Sequence, residues 1–245
     1  MSPRTVCTIE ARMTSSRLPG KVLAEAVGRP LLAHMIERLT RCPGLDQIVV
    51  ATTVNAADDP VAELADRVGA GVFRGSEEDV LGRVLGAAQA HGAELIVETT
   101  GDCPLIDPAI VGEVIDRFAS GGADYCSNML ERTYPRGMEV QVFPTAVLAE
   151  VDRLTDAPAD REHVSLYIYE HPERYRLSGV AAAPARGADV RLTVDTPEDL
   201  ALVRAVFEEL YPRDPAFGLG EILDLLDARP DLRGLNRDVE QKPVR

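Results

Sequence analysis

The sequence has little with which to grip a nucleic acid or enter a membrane. Acidic residues outnumber basic ones by 40 to 26, and the formal net charge is −14. A non-specific nucleic-acid surface needs the opposite sign, and an anionic membrane would repel such a chain. No apolar run approaches the ~18 residues of a membrane span. Arg4, Glu10 and Arg12 interrupt the apolar stretch near the N-terminus, so the pattern of a secretory signal is missing. Cys7, Cys42, Cys103 and Cys126 are scattered, with no CxxC pair. That excludes the common zinc and dithiol patterns and reads as buried thiols in a reducing compartment. These absences predict a cytoplasmic protein with no nucleic-acid or membrane partner.

What is present suits a globular enzyme. The 245 residues, 45% of them hydrophobic, are enough for one α/β domain with a full core. No internal repeat, low-complexity tract or long linker divides the chain. Residues 1–245 therefore read as one domain, with a loose polar tail from about residue 233.

Short β-branched runs alternate with amphipathic ones. Residues 5–9, 47–51, 71–73 and 95–98 read as strands, and 31–39, 59–68, 80–91 and 108–118 as helices. Asp58 or Asp59 and Asp107 are the expected caps, with Pro60 and Pro108 in the first turns. His34 and His91 fall on expected helix surfaces. This β-α-β alternation predicts an α/β fold, a mostly parallel sheet flanked by helices. Ligands then bind beyond the carboxyl ends of the strands. The second half is less regular. Strands are expected at 124–127, 138–143 and, most strongly, 190–194. Helices are expected at 145–154, 162–170, 197–210 (capped near Thr196) and 219–226.

An acidic protein that binds an anion must concentrate its cations locally. The loop after the first strand does so, with Arg12, Ser15, Ser16, Arg17 and Lys21 within ten residues. Arginine offers forked donors, lysine a point charge, and a tight serine-rich turn offers backbone N–H groups. The set suits a triphosphate. GxxxxGK[ST] is excluded because position 22 is valine, and GxGxxG is absent after this strand. Two aspartates lie at expected strand ends, Asp102 in TGDCPL and Asp195 after VRLTV. They could converge on a Mg²⁺–triphosphate, which takes one or two carboxylates plus phosphate and water. Asp102 could equally be a turn residue, and Asp195 part of a helix start. With no His pair at i, i+4 and no Cys cluster, zinc is not suggested.

ARMTSSRLPGKVL resembles the ARxxSxRLPGKxL signature of the sugar-activating cytidylyltransferases, which make CMP-Kdo and CMP-sialic acids. The segments DQIVVATTVNAADDP, VFRGSEEDVLGR, TGDCPLIDP, SNMLERTYPRGMEVQVF, REHVSLYIYEHPE and RLTVDTPEDL extend the likeness, nearest to the spore-coat polysaccharide branch, over residues 5 to about 205. The resemblance implies a Rossmann-like nucleotide-diphospho-sugar transferase fold. It also implies transfer of CMP from CTP to an acidic sugar or related small-molecule acceptor, with release of pyrophosphate. It makes Arg12, Lys21, Asp102 and Asp195 the catalytic set, with Asp102 and Asp195 holding Mg²⁺. Ala11, Arg12, Ser15, Arg17, Lys21, Arg74, Asp79 and Arg83 become the nucleotide-binding set. Arg132, Tyr134, Arg136, Glu139, Arg161 and His163 are the acceptor-side candidates. The acceptor motifs of the CMP-Kdo and CMP-sialate enzymes are not reproduced, so a sugar phosphate or phosphonate acceptor stays open. A homodimer pairing through residues 132–169 is also implied. Two rivals remain. A glycosyltransferase of related fold usually carries a DxD motif where this chain has GDCP. A catalytically dead binding protein would have no need to retain Arg12, Lys21, Asp102 and Asp195 together.

Overall fold

The computed structural model describes residues 2–182, 185 and 187–241. The first half alternates as expected. Strand β1 (Thr5–Glu10) leads through the cationic loop to a small hairpin, β2 (Glu25–Ala26) and β3 (Arg29–Pro30). Then follow α1 (Leu31–Leu39), β4 (Gln47–Thr53), α2 (Asp59–Arg67), β5 (Gly71–Gly75), α3 (Val80–Ala90), β6 (Leu95–Thr100) and α4 (Pro108–Ala119). The second half holds β7 (Tyr125–Ser127), β8 (Gln141–Pro144), α5 (Thr145–Val151), α6 (Pro158–Glu162), α7 (Leu166–Glu170), β9 (Leu177–Gly179), α8 (Pro197–Leu210), α9 (Leu219–Ala228) and α10 (Pro230–Arg233).

The main sheet has the order β5-β4-β1-β6-β8-β7-β9. β5, β4, β1 and β6 are parallel, and β8 runs antiparallel to β6 and to β7. The chain winds outward from β1 in one direction, then returns to add β6 on its other side. A crevice opens at such a switch point, beyond the carboxyl ends of the strands. Apolar side chains cover both faces. One cluster joins the sheet to α1, α2, α4, α8 and α9, and the other joins it to α3, α5 and α7. β1, β4 and β6 are buried over nearly their whole length, which is why they read as continuous apolar runs.

Local chemistry sets several helix starts. Asp107 accepts from the Ala109 N–H at 2.8 Å, with Pro108 in the first turn. Thr196 and Asp199 form a reciprocal capping box on α8.

Five expectations need correction. Residues 190–194 are not a strand. Leu192 N–H donates to Arg136 O (2.7 Å) and Val194 N–H to Asp102 O (2.8 Å), so the segment bridges two loops and makes one isolated bridge, Arg136 to Arg191. Residues 162–170 are not one helix: α6 and α7 are separated at Val164, whose φ is 32°. The tail is not loose as far as it is described. Asn236 is buried and donates to Arg191 O (3.0 Å) and the Asp199 carboxylate (2.8 Å); residues 242–245 lie outside the described residues. His34 is buried rather than at the surface, stacked on Phe207 with ring centroids 4.3 Å apart. Asp58 precedes α2 without capping it, because its carboxylate serves the cationic loop instead.

Candidate active site

The loop after β1 is shaped from outside. Asp58, fully buried, accepts from the Met13 N–H at 2.6 Å and from the Thr53 hydroxyl. Glu77 accepts from Thr14, from Arg12 and from Asn55 (2.6 Å). Gly20 closes the loop at φ 74°, in the left-handed region that glycine enters freely, and its N–H reaches Met13 O at 2.9 Å. The chain then enters a short turn that begins with Lys21.

Lys21, one of two lysines in the sequence, lies at the centre of the site. Its Nζ donates to Asp102 (2.9 Å) and to Asp195 (2.8 Å). Asp195 also meets Arg17 at 3.0 Å and Arg191 at 2.6 Å. Burial works against the charge of Lys21, but the two carboxylates outweigh it and hold the ammonium above its ordinary pKa. Burial also works against the charge of Asp195, and Lys21, Arg17 and Arg191 outweigh it, keeping that carboxyl below its ordinary value.

The two aspartates converge for backbone reasons. The Gly101 N–H donates to Glu10 O at 2.8 Å, and a Cβ at 101 would fall 2.9 Å from that same oxygen. Only glycine fits this crossing, and it sets Asp102 beside the loop. The Asp102 carbonyl in turn accepts from Val194 N–H and from the Thr193 hydroxyl (3.2 Å), bringing Asp195 alongside. Thr196 takes the capping role at α8, so the Asp195 side chain is free to face Lys21.

Two cavities meet here. One, of about 570 Å³, is lined by Ala11, Arg12, Ser15, Arg17, Lys21 and Arg83, with Glu10, Glu162 and His163. The other, of about 540 Å³, is lined by Glu98, Arg132, Arg136, Glu139, Gln141 and Thr193. Thr100, Asp102, Asp195 and Gln241 belong to both.

Most of the expected residues are thus brought together, and four are not. Arg74 is committed to the carbonyls of Thr53 and Asn55 and to Asp59. Asp79 caps α3 and pairs with Arg161, which also holds Asp152. Tyr134 is buried and donates to Glu113 at 3.0 Å. None of those four lines either cavity. His163 lines the cavity of the cationic loop, not the one with Arg132 and Arg136.

Sequence reasoning missed five contributors. Arg191 and Asp199 pair at 2.9 Å beneath Asp195, and Gln241 returns from the C-terminal segment to Arg191. The pattern of a strand followed by a helix start concealed the first two. Glu10 and Glu98 are the others. They project from adjacent strands on the same face, in register Thr8↔Glu98. Glu98 accepts from Gln141, whose amide oxygen accepts from Tyr125 (2.6 Å) and Ser165. Burial raises both carboxyls. It pushes Glu10 up to about 7, against its bond to Glu98 and the Arg83 charge, and Glu98 rises further with Glu10 adjacent.

A raised carboxyl pKa means the folded protein holds the proton more tightly than the unfolded chain does. Stability from this pair is full below the ordinary value of 4.5 and falls as pH rises through about 7. At about 1.4 kcal/mol per pKa unit, urea unfolding should show a loss on the order of 3 kcal/mol between pH 5 and pH 8. Glu98→Gln should flatten that fall by removing the more strongly raised of the two carboxyls. A wild-type profile as flat as the variant's would refute the pairing.

Two carboxylates within 3 Å of one nitrogen suit a hard divalent cation. No group of three or more His, Cys, Asp or Glu side chains completes a metal cage among the described residues. Phosphate and water oxygens would have to supply the remaining ligands, as at magnesium sites shared with a nucleotide.

The family described as cytidylyltransferase matches residues 6–224. The chain is 34% identical over 230 residues to the spore coat polysaccharide biosynthesis protein SpsF of Bacillus subtilis, covering 91% of this chain and 94% of SpsF. It is 31% identical over 243 residues to the 3-deoxy-manno-octulosonate cytidylyltransferase of Anaeromyxobacter dehalogenans, covering 81% and 95%. The solved structure of a cytidylyltransferase from Leptospira borgpetersenii superposes with a TM-score of 0.90 at 30% identity, covering 99% of this chain and 100% of that one. With the cationic loop and the paired aspartates in matched segments and these likenesses in agreement, the chain belongs to the cytidylyltransferase family.

Proposed function

We propose that this protein transfers CMP from CTP to an acidic sugar, for surface polysaccharide synthesis, and releases pyrophosphate. The observation that carries the reading is the meeting of two cavities at Asp102 and Asp195. On this reading the cavity with the cationic loop takes the triphosphate, and the cavity with Arg132, Arg136 and Glu139 takes the acceptor. Arg12, Arg17 and Lys21 offset the charge that builds on departing pyrophosphate. Arg83, Ser15 and the backbone at Ala11 frame the nucleotide, and His163 joins that side. The acceptor oxygen approaches the α-phosphorus from across the aspartates, and the bond to pyrophosphate breaks as the new P–O bond forms. Positioning supplies much of the rate. When bound, a divalent cation at Asp102 and Asp195 neutralises phosphate charge.

Magnesium as that ion, pairing of two copies through residues 132–169 and a cytoplasmic setting belong to the same proposal. Family likeness supports the first two, and four buried free cysteines suit a reducing compartment. No described helix is long and apolar enough to cross a membrane.

The test is pyrophosphate release with CTP, ATP, GTP and UTP against keto-sugar acids, sugar phosphates and phosphonates. CTP with a keto-sugar acid should exceed every other pairing by about tenfold or more, the equivalent of about 1.4 kcal/mol. CTP binding without pyrophosphate across the whole panel would leave a binding protein. Consumption of a nucleotide sugar would leave a glycosyltransferase.

A further inference from the structure

Beside the acceptor-side cavity lies a third recess of about 270 Å³, walled by residues 188–191, Arg136 and the C-terminal segment. It is too small for a whole sugar nucleotide and large enough for one ionic group. In a chain of net charge −14 its lining is strongly cationic. Arg136, Arg191, Arg233 and Arg237 face a single acidic residue, Asp189.

Two of these arginines already have counter-ions. Arg191 is held by Asp195 and Asp199, and Arg233 by Asp189 and Asp227 at 2.8 Å each. The other two do not. Among the described residues, the side chains of Arg136 and Arg237 make no hydrogen bond and no ion pair. Arg136 is half-buried. Burial and the neighbouring Arg132 and Arg191 charges work against its guanidinium, and Glu139 offsets them only in part. A half-buried guanidinium with no ion pair of its own is unfavourable, and the exposed Arg237 lies beside it, so an anion the protein does not itself supply fits the recess.

The recess is continuous with the acceptor side. Arg136 and Gln241 line both. Its outer wall is residues 233–241, anchored through Asn236 to Arg191 and Asp199, and this wall lies beyond the family match at 6–224.

We infer that the recess is an anion subsite in which Arg136 and Arg237 receive a phosphate or carboxylate. Forked guanidinium donors suit either group. The anion has two possible sources, the distal end of an acceptor reacting in the neighbouring cavity or a free phosphate. The first source rests on the acceptor reading proposed above, and the second does not.

The probe is inorganic phosphate, titrated calorimetrically into the full chain already saturated with CTP and Mg²⁺, which fills the cationic loop. Phosphate should bind saturably. Arg237→Gln and Arg136→Gln should each weaken it by about tenfold or more, or about 1.4 kcal/mol. Arg213→Gln, at an exposed position paired with Glu209, should leave it unchanged. Arg237 is exposed, so its substitution keeps the test valid if the Arg136 variant folds poorly. Absence of saturable phosphate binding, or binding indifferent to Arg237→Gln, would overturn the inference. Acceptors with and without a phosphate ester then separate the sources. A rise in KM confined to the phosphorylated acceptor, with kcat kept, identifies the acceptor's own anion. Equal KM values beside a weakened phosphate isotherm identify a free anion. Failure of CTP to bind would overturn the donor reading instead, and phosphate binding dependent on Arg237 would still be measurable.

Discussion

Asp102→Asn should lower pyrophosphate release by about a thousandfold at saturating CTP and magnesium, roughly 4 kcal/mol of barrier. The substitution keeps the shape of the side chain and removes one of the two negative charges that converge on Lys21. On the proposed reading, a divalent cation sharing those carboxylates with a triphosphate would lose an anionic ligand. Asp195→Asn should cost a similar factor, but Arg17, Arg191 and Lys21 all lose a partner with it, so Asp102 gives the cleaner measurement. CTP binding in the absence of metal should survive in Asp102→Asn or tighten, because a carboxylate that repels phosphate has gone while Arg12, Arg17 and Lys21 remain. That opposite response distinguishes lost chemistry from lost fold. Turnover within a factor of a few of the wild type, at matched magnesium, would remove Asp102 from the reacting centre.

Much of this site was legible in the sequence because it depends on local pattern. The cationic loop follows a buried strand, and both aspartates follow apolar runs. A parallel sheet places such positions on one rim. The contributors that escaped notice depend on pairings remote in sequence. Glu98 reads as one polar residue in a strand until Glu10 on the neighbouring strand lies beside it. Arg191 reads as the outward residue of an alternating strand, yet it is buried against α8. Asp58 reads as a cap, and its carboxylate instead holds the loop at Met13. Arg74 and Arg161 show the converse. Each lies in a segment similar to the family, and each is spent on structure. Motif position identifies the segment, but only tertiary contacts tell which side chain points inward. The irregular second half has the same cause. Residues 190–194 alternate like a strand but form hydrogen bonds with two different loops, a distinction that periodicity does not record.

Removal of the Arg191 side chain is expected to be the most damaging change to stability. Arg191 is 7% exposed and Asp199 is fully buried. The guanidinium bonds Asp199 through Nε at 2.9 Å and Nη2 at 3.2 Å, and Asp195 through Nη2 at 2.6 Å. Carboxylates deprived of such a partner in the interior carry most of their desolvation penalty alone. Arg191→Met should therefore destabilise the protein by about 3–5 kcal/mol in urea unfolding, a large share of a typical total of roughly 5–15 kcal/mol. Asp199 keeps bonds from Asn236 and from the N–H groups of Asp195 and Thr196, so the loss should stop short of complete unfolding. Arg191→Lys should recover only part of it, because an ammonium cannot fork across two carboxylates. The decisive measurement is the double variant Arg191→Met with Asp199→Asn. If the stranded charge is the cause, the pair should be less destabilised than the sum of the two single changes by at least about 1 kcal/mol. Strict additivity would mean that Arg191 acts through packing alone. Asp195 would then owe its place to Lys21 and Arg17.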